Sequence, residues 1–260
     1  MKLKVYIANA FSDKKFGGNP AAVVPLNEWL SENLMQQIAA QNNLSETAYI
    51  VPQEDDYGIR WFTPTTEVDL CGHATLASSH VLFEHLGYHR EQLIFHSKSG
   101  ALHITRSGHK ITMDFPAKEP VEIVEDELIE KALGIKPASY HKSVWDYMVV
   151  LNSQAEIEAL KPDFNQLKKH ASRGLIATAK GNESDFVSRC FYPQSGIDED
   201  PATGSAHVVM VPYWAKIFGK NKLSAIQLSA RRGYLDCELT GDRVLMSGNA
   251  HTYLEGDFYI

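Results

Sequence analysis

Two short segments concentrate the groups that could do chemistry. "DLCGHA" (Asp69 to Ala74) and "DEDPATGSAH" (Asp198 to His207) gather carboxylates, hydroxyls, a thiol and imidazoles around Gly72 and Gly204. Each runs directly into a strongly apolar stretch. In "GHATLASSHVLFEHLG" the apolar residues Leu76, Ala77, Val81, Leu82, Phe83 and Leu86 cover most of a helix circumference, which predicts a buried helix. "GSAHVVMVPYWAKIFGK" is more apolar still, although Pro212 inside it implies a kink. The first N–H groups of a helix lack internal partners and carry partial positive charge, so a buried helix start must find acceptors. Thr203, Ser205 or Asp200 can cap the second helix, or a bound anion can take the same N–H groups.

The elements that hold these segments recur along the chain. "DYGIRWFTP" (56–64) lies over "DFVSRCFYP" (185–193) at an offset of 129 residues. "LIFHSKSGALHITRSGHKITM" (93–113) lies over "IQLSARRGYLDCELTGDRVLM" (226–246) at an offset of 133. Gly100/Gly233, Leu102/Leu235, Gly108/Gly241 and Met113/Met246 coincide without a gap. Two blocks in the same order indicate a duplicated half. The four-residue difference is a net insertion between the blocks, placed in or near the second polar segment. The expected domains are 1–117 and 118–247, with 248–260 crossing back to the first.

Within one half, "KVYIANAF", "GGNPAAVVPL", "ETAYIVP" and "YGIRWFTP" read as strands, and residues 93–115 as three short strands joined by Gly-containing turns. "NEWLSENLMQQIAAQNN" reads as an amphipathic helix, with Leu30, Leu34 and Ile38 on one stripe and Asn27 as its N-cap. Each half is therefore many strands around one buried helix.

Bulk properties exclude several classes. A net charge of −7 argues against a nucleic-acid surface. Three cysteines in 260 residues do not make a disulfide framework. No stretch approaches the roughly 20 apolar residues of a membrane helix, and the start lacks a signal-peptide pattern. A cytoplasmic globular protein is the expectation. No P-loop or dinucleotide fingerprint is present. His80, His85 and His89 straddle Gly87 and do not share one helical face, so no metal site is read from them.

"GGNPAAVV", "NLSETAYIV", "FTPTTEVDLCGHATL" and "DEDPATGSAH", in this order along nearly the whole chain, resemble the signature segments of the PhzF family of phenazine-biosynthesis isomerases. The resemblance implies the diaminopimelate epimerase fold: α+β, two pseudo-symmetric domains, each a β-barrel-like sheet around a central helix, with the active site in the cleft between them. It implies that Glu46 is the acid/base residue and that His73, Asp200 and Ser205 complete the polar site. Gly72 and Gly204 would let backbone N–H groups approach a substrate carboxylate, and Asn19 would border the site. The phenazine enzyme moves a proton on a dihydro-hydroxyanthranilate without a cofactor. The resemblance thus implies a cofactor-independent isomerase of a small carboxylate-bearing metabolite, in a family where homodimers are common.

Racemases of the same fold use two thiols, one from each half. Cys71 sits where the first would be, but "GIDEDPATGSAH" holds no cysteine, and Cys190 and Cys237 lie in expected strands. Two-thiol racemisation is disfavoured, leaving an amino-acid racemase or epimerase, or a non-catalytic binding protein, as the alternatives.

Overall fold

The duplicated blocks fold as units of like connectivity. The computed structural model describes residues 1–260, which separate into a first unit, Met1–Asp114 with Ser247–Ile260, and a second, Phe115–Met246. The first half of the chain forms β1 (Lys2–Ala10), β2 (Asn19–Pro25), α1 (Glu32–Asn42), β3 (Glu46–Gln53), β4 (Asp56–Phe62), β5 (Glu67–Val68), α2 (Gly72–Glu84), β6 (Gln92–Ser97), β7 (Gly100–Ser107) and β8 (Lys110–Pro116). The second forms β9 (Val121–Ile123), α3 (Glu127–Leu133), β10 (Ser139–Lys142), β11 (Asp146–Val150), α4 (Gln154–Ala159), α5 (Phe164–Leu167), β12 (Gly174–Lys180), β13 (Phe186–Tyr192), β14 (Ile197–Asp200), α6 (Gly204–Phe218), β15 (Lys222–Gln227), β16 (Gly233–Thr240) and β17 (Arg243–Gly248). The last strand, β18 (Ala250–Tyr259), pairs with β1.

The same path is drawn twice. A parallel pair, β2–β3 or β11–β12, leads into an antiparallel pair, β3–β4 or β12–β13. A short strand, β5 or β14, folds back on the second member. The buried helix follows, and the chain re-enters beside the same strand in parallel, as β6 or β15, to begin a hairpin. The fold is α+β, with one central helix in each unit.

The two central helices solve the problem of all-round burial differently. In α2 the hydroxyls of Thr75, Ser78 and Ser79 are buried and donate to the carbonyls four residues back, at 2.6, 2.7 and 2.8 Å. In α6 the burden falls on Pro212, whose missing N–H orphans the Val208 carbonyl. The Lys118 N–H donates to that carbonyl at 2.9 Å, so the helix continues through the proline to Phe218.

Two sequence expectations are corrected. The first amphipathic helix starts at Glu32, not after Asn27: Ser31 is its N-cap, accepting from the Leu34 N–H, and the buried stripe is Met35, Ile38 and Ala39. Asn27 lies four residues upstream, before the chain takes helical geometry. The second polar segment, which its Gly, Pro and Asp residues mark as a turn before a helix, is partly strand, because Ile197–Asp200 pairs with β13. The insertion can be traced. Arg60 and Arg189 are 129 residues apart, whereas Gly72 and Gly204, the first residues of the two helices, are 132 apart. Three extra residues therefore fall between β13 and α6, where a 3-10 turn (Pro193–Ser195) and left-handed Gly196 have no counterpart in the first half; two are lost again before β15, and three more enter the β15–β16 hairpin, so the second block is not gapless.

Two imidazoles, buried His207 and half-buried His80, link this packing to pH. Burial lowers the pKa of His80 and of His207 to about 4 each. Their neutral forms belong to the fold, so they contribute stability above the unfolded value near 6.5, which is lost as pH falls toward 4. The loss is on the order of 2–4 kcal/mol per group. Thermal melts between pH 7 and 4 are expected to show a falling Tm, with a shallower slope in the His80→Gln/His207→Asn variant. An unchanged slope would assign the acid sensitivity to other groups.

Candidate active site

In the first unit the site begins at a strand start. Left-handed Asn43 ends α1, and Tyr49 ties β3 to that helix by donating to the Met35 carbonyl at 2.7 Å. This fixes Glu46 at the first position of β3, opposite Ala21 of β2. Gly18 turns the chain into β2. Its φ is +66°, and a Cβ there would lie 2.1 Å from the Ala10 carbonyl oxygen, so only glycine serves. Asn19 follows, fully buried.

His73, at the second position of α2, is where these residues meet. Its Nε2 lies 3.1 Å from Glu46 Oε2, and its Nδ1 lies 3.2 Å from Asn19 Nδ2 and 3.5 Å from Cys71 Sγ. The Glu46 contact is an ion-pair approach rather than an aligned hydrogen bond, and neither atom has another hydrogen-bond partner. Glu46 keeps 14% of its side-chain exposure, and Oε2 is its enclosed oxygen, so Oε1 is the oxygen a ligand can reach. Cys71 is the N-cap residue of α2, but no side chain caps this helix. The N–H groups of Gly72 and His73 are thereby left for another acceptor.

Charge organises the cluster. Burial disfavours the His73 cation, but the Cys71 sulfur and the Glu46 carboxylate outweigh it and carry its pKa well above the usual imidazole value. Burial also pushes the Cys71 thiol up, and Glu46 adds to that effect. The sulfur is therefore biased toward the neutral thiol, and Glu46 is the second group, after Cys71, that favours the imidazolium. Asn19 suits either state of the ring: its amide N–H donates to a neutral Nδ1, and after a half-turn its carbonyl accepts from a protonated one. The ligating atoms of Glu46, Cys71 and His73 lie within 4.8 Å of one another, close enough to share one ion. Ligation needs a thiolate and a neutral imidazole. Both groups are biased to the opposite form, so this donor set fits proton chemistry better than a metal.

The second unit repeats the frame with different contents. Gly204 is the first residue of α6 and Thr203 its N-cap, again with no side-chain cap. Thr203 instead donates its hydroxyl to Asp200 at 2.5 Å and its N–H to Gln227 at 2.8 Å. Gln227, fully buried, also donates to the Asp200 carbonyl at 2.6 Å. The hydroxyl of Ser205 accepts from Arg173 at 3.0 Å. The capping by Thr203, Ser205 or Asp200 that the sequence left open is not what forms. Of the residues read from the sequence, Glu46, His73, Asn19 and Gly72 come together in the first unit, and Asp200, Gly204 and Ser205 in the second.

Each helix start is braced by the same device, which sequence reasoning missed. Arg60 forks onto Glu67 at 2.7 Å through both nitrogens, and Arg189 forks onto Glu199 at 2.7 and 2.8 Å. Both pairs tie the long strand to the short one that leads into the helix. Such bidentate pairs fix geometry as well as charge. The signal was present in the repeat itself, since Arg60 and Arg189 are aligned, and the glutamates stand five residues before Gly72 and Gly204.

Residues 8–256 match the PhzC-PhzF family of phenazine biosynthesis-like proteins. The chain belongs to this family. An uncharacterized isomerase of Pseudomonas aeruginosa is 47% identical over the full length of both chains. The crystal structure of a PhzF-family protein from Enterococcus faecalis is 43% identical and superposes with a TM-score of 0.97, covering all of both chains. A hydroxyproline epimerase from Agrobacterium vitis shares the fold at 8% identity and a TM-score of 0.65, with 98% of this chain and 92% of that one covered. The chain is thus an isomerase of the PhzF family built on the epimerase fold. No helix is long and apolar enough to cross a membrane.

The state of Cys71 in this PhzF-family site is directly measurable. Its side chain is expected to resist iodoacetamide at pH 7 in the native protein and to react readily once the chain is unfolded, followed by mass spectrometry of the Cys71 peptide. Rapid native alkylation at pH 7 would show a thiolate and contradict the assignment.

Proposed function

We propose that Glu46 removes a proton from one carbon of a small carboxylate-bearing metabolite and returns it to another, without a cofactor. The observation that carries this reading is the position of Glu46: one oxygen enclosed against His73 with no other hydrogen-bond partner, the other open to a ligand. A single base that takes and gives back one proton needs such a fixed carboxylate beside a group that stabilises its charge.

The duplication supports one base rather than two. In the repeat Phe62 is aligned with Phe191, and these pair with Thr47 and Leu175, so the counterpart of Glu46 is Gly174. The counterpart of Cys71 at the helix N-cap is Thr203, which has no thiol. Inverting a carbon requires acceptors on opposite faces, whereas shifting a proton along one face requires one. The second unit offers neither a carboxylate nor a thiol at the corresponding positions. Asp200 and Ser205 enter the same reaction as substrate contacts on the strength of the sequence motif, and the substrate carboxylate is assigned to the uncapped N–H groups at Gly72 and Gly204.

The test is proton NMR in heavy water on a panel of small carboxylates, beginning with a dihydro-hydroxyanthranilate. A C–H signal is expected to disappear as deuterium enters. Glu46→Gln should slow this by roughly 10²–10⁴-fold while leaving the fold intact, and Cys71→Ser should retain substantial activity. Loss of exchange in Cys71→Ser with an active Glu46→Gln would replace the carboxylate by thiol chemistry.

A further inference from the structure

The first turn of α6 contains a hydroxyl whose orientation is set from outside the helix. Ser205 Oγ accepts a hydrogen bond from Arg173 Nη2 at 3.0 Å, and its own O–H has no acceptor within the protein. Arg173 is in turn held by a carboxylate and two rings, with 35% of its side chain exposed. Its Nε donates to Asp146 Oδ1 at 2.9 Å and its Nη2 to Asp146 Oδ2. Its guanidinium lies 5.4 Å from the Trp145 ring centre and 5.2 Å from that of Tyr192. The Tyr192 ring can lie there because residue 174 is glycine: a Cβ at Gly174 would sit 2.2 Å from Tyr192 Cδ1. Asp146 is completely buried, anchored at the start of β11 by the Ser143 hydroxyl, which accepts from its N–H at 3.0 Å.

This arrangement decides between two roles for Arg173. A guanidinium beside a helix start could attract an anion by charge. Here the charge is matched by a buried carboxylate in a forked pair, so the pair presents almost no net charge to its surroundings. What remains is direction. A hydroxyl has one proton and two lone pairs. With Arg173 occupying a lone pair, the Ser205 proton is left to point elsewhere, and in the same first turn the N–H groups of Gly204 and Ser205 also lack partners.

We propose that Arg173, fixed by Asp146, is a positioning residue that makes Ser205 a hydrogen-bond donor to a carboxylate oxygen of the substrate. The assignment rests on the reading above that Ser205 contacts substrate, and it adds Arg173, Asp146 and Gly174 to the residues that govern binding. It differs from a structural role in one respect: the effect of Arg173 on ligand affinity must pass through the Ser205 hydroxyl.

A double-mutant cycle isolates that route. Malonate serves as the carboxylate probe, and its binding is read from the Ser205 amide shift in the full chain, or from the Gly204 amide when residue 205 is replaced. Asp146→Asn/Arg173→Gln keeps a bonded neutral pair, because the glutamine nitrogen reaches only where Nε stood, and it removes the Nη2 donor. Ser205→Ala and this pair replacement are each expected to weaken malonate about tenfold, the value of one positioned hydrogen bond. The combined variant should bind no worse than Ser205→Ala alone. Should the amide pair fail to fold, Asp146→Leu/Arg173→Met removes the ion pair without leaving a lone buried charge and enters the same cycle. Additive losses would show that Arg173 acts by itself and overturn the proposal. So would unchanged affinity in the pair variant, or no saturable shift in the wild-type protein. Because the readout needs no turnover, it is separate from the heavy-water test: an inactive Glu46 hypothesis leaves the cycle intact, and an uncoupled cycle leaves Glu46 in place.

Discussion

The contact between Glu46 and His73 constrains nearly everything around it. A carboxylate and an imidazole enclosed at 3.1 Å without an aligned hydrogen bond would be costly unless their charges support each other. The cationic ring supplies that support, and the surroundings are arranged to tolerate it. Asn19 can serve the far nitrogen in either protonation state, Cys71 stays a neutral thiol, and the uncapped start of α2 places its partial positive charge beside the carboxylate rather than cancelling it with a side-chain cap. Gly18 and the end of α1 then exist to deliver Asn19 and Glu46 to one imidazole.

The duplication separates what the fold needs from what the chemistry needs. Both units keep the parallel and antiparallel pairs, the buried helix, the uncapped start and the forked Arg–Glu brace. They diverge where reactive groups sit. Glu46 corresponds to Gly174, and Cys71 to Thr203. The room made by Gly174 is taken by Tyr192, on which Arg173 rests. One unit thus holds a carboxylate–imidazole pair, and the other a set of hydrogen-bonded side chains around Asp200, Thr203 and Ser205.

Much of this was legible in the sequence because it rests on short-range rules. Apolar residues all around a helix announce burial, and Gly108 and Gly241 mark hairpin turns with φ near +60° in both halves. The other glycine pair shows the limit of such reading. Gly100 has φ +100° and open space beside it, whereas Gly233 is required because a Cβ would meet that of Ala202 at 2.5 Å. One alignment hides two reasons. The triad of Glu46, His73 and Asn19 was named through motif resemblance, and only the tertiary fold shows which atoms meet. Arg173, Asp146 and Gln227 were missed because their partners lie 24 to 32 residues away and no local pattern connects them. The helix cap was misplaced because Asn27 and Ser31 are both good capping residues and the backbone path decides between them.

The protonation of His73 is the most direct measure of whether Glu46 holds the site together. Nitrogen-15 NMR of the imidazole reports the number of protons on the ring. At pH 7.5 the account requires both His73 nitrogens to be protonated in the native protein and one to lose its proton in Glu46→Gln, where burial acts without the compensating charge. A neutral His73 in the native protein at that pH, or a cation that persists in Glu46→Gln, would contradict it.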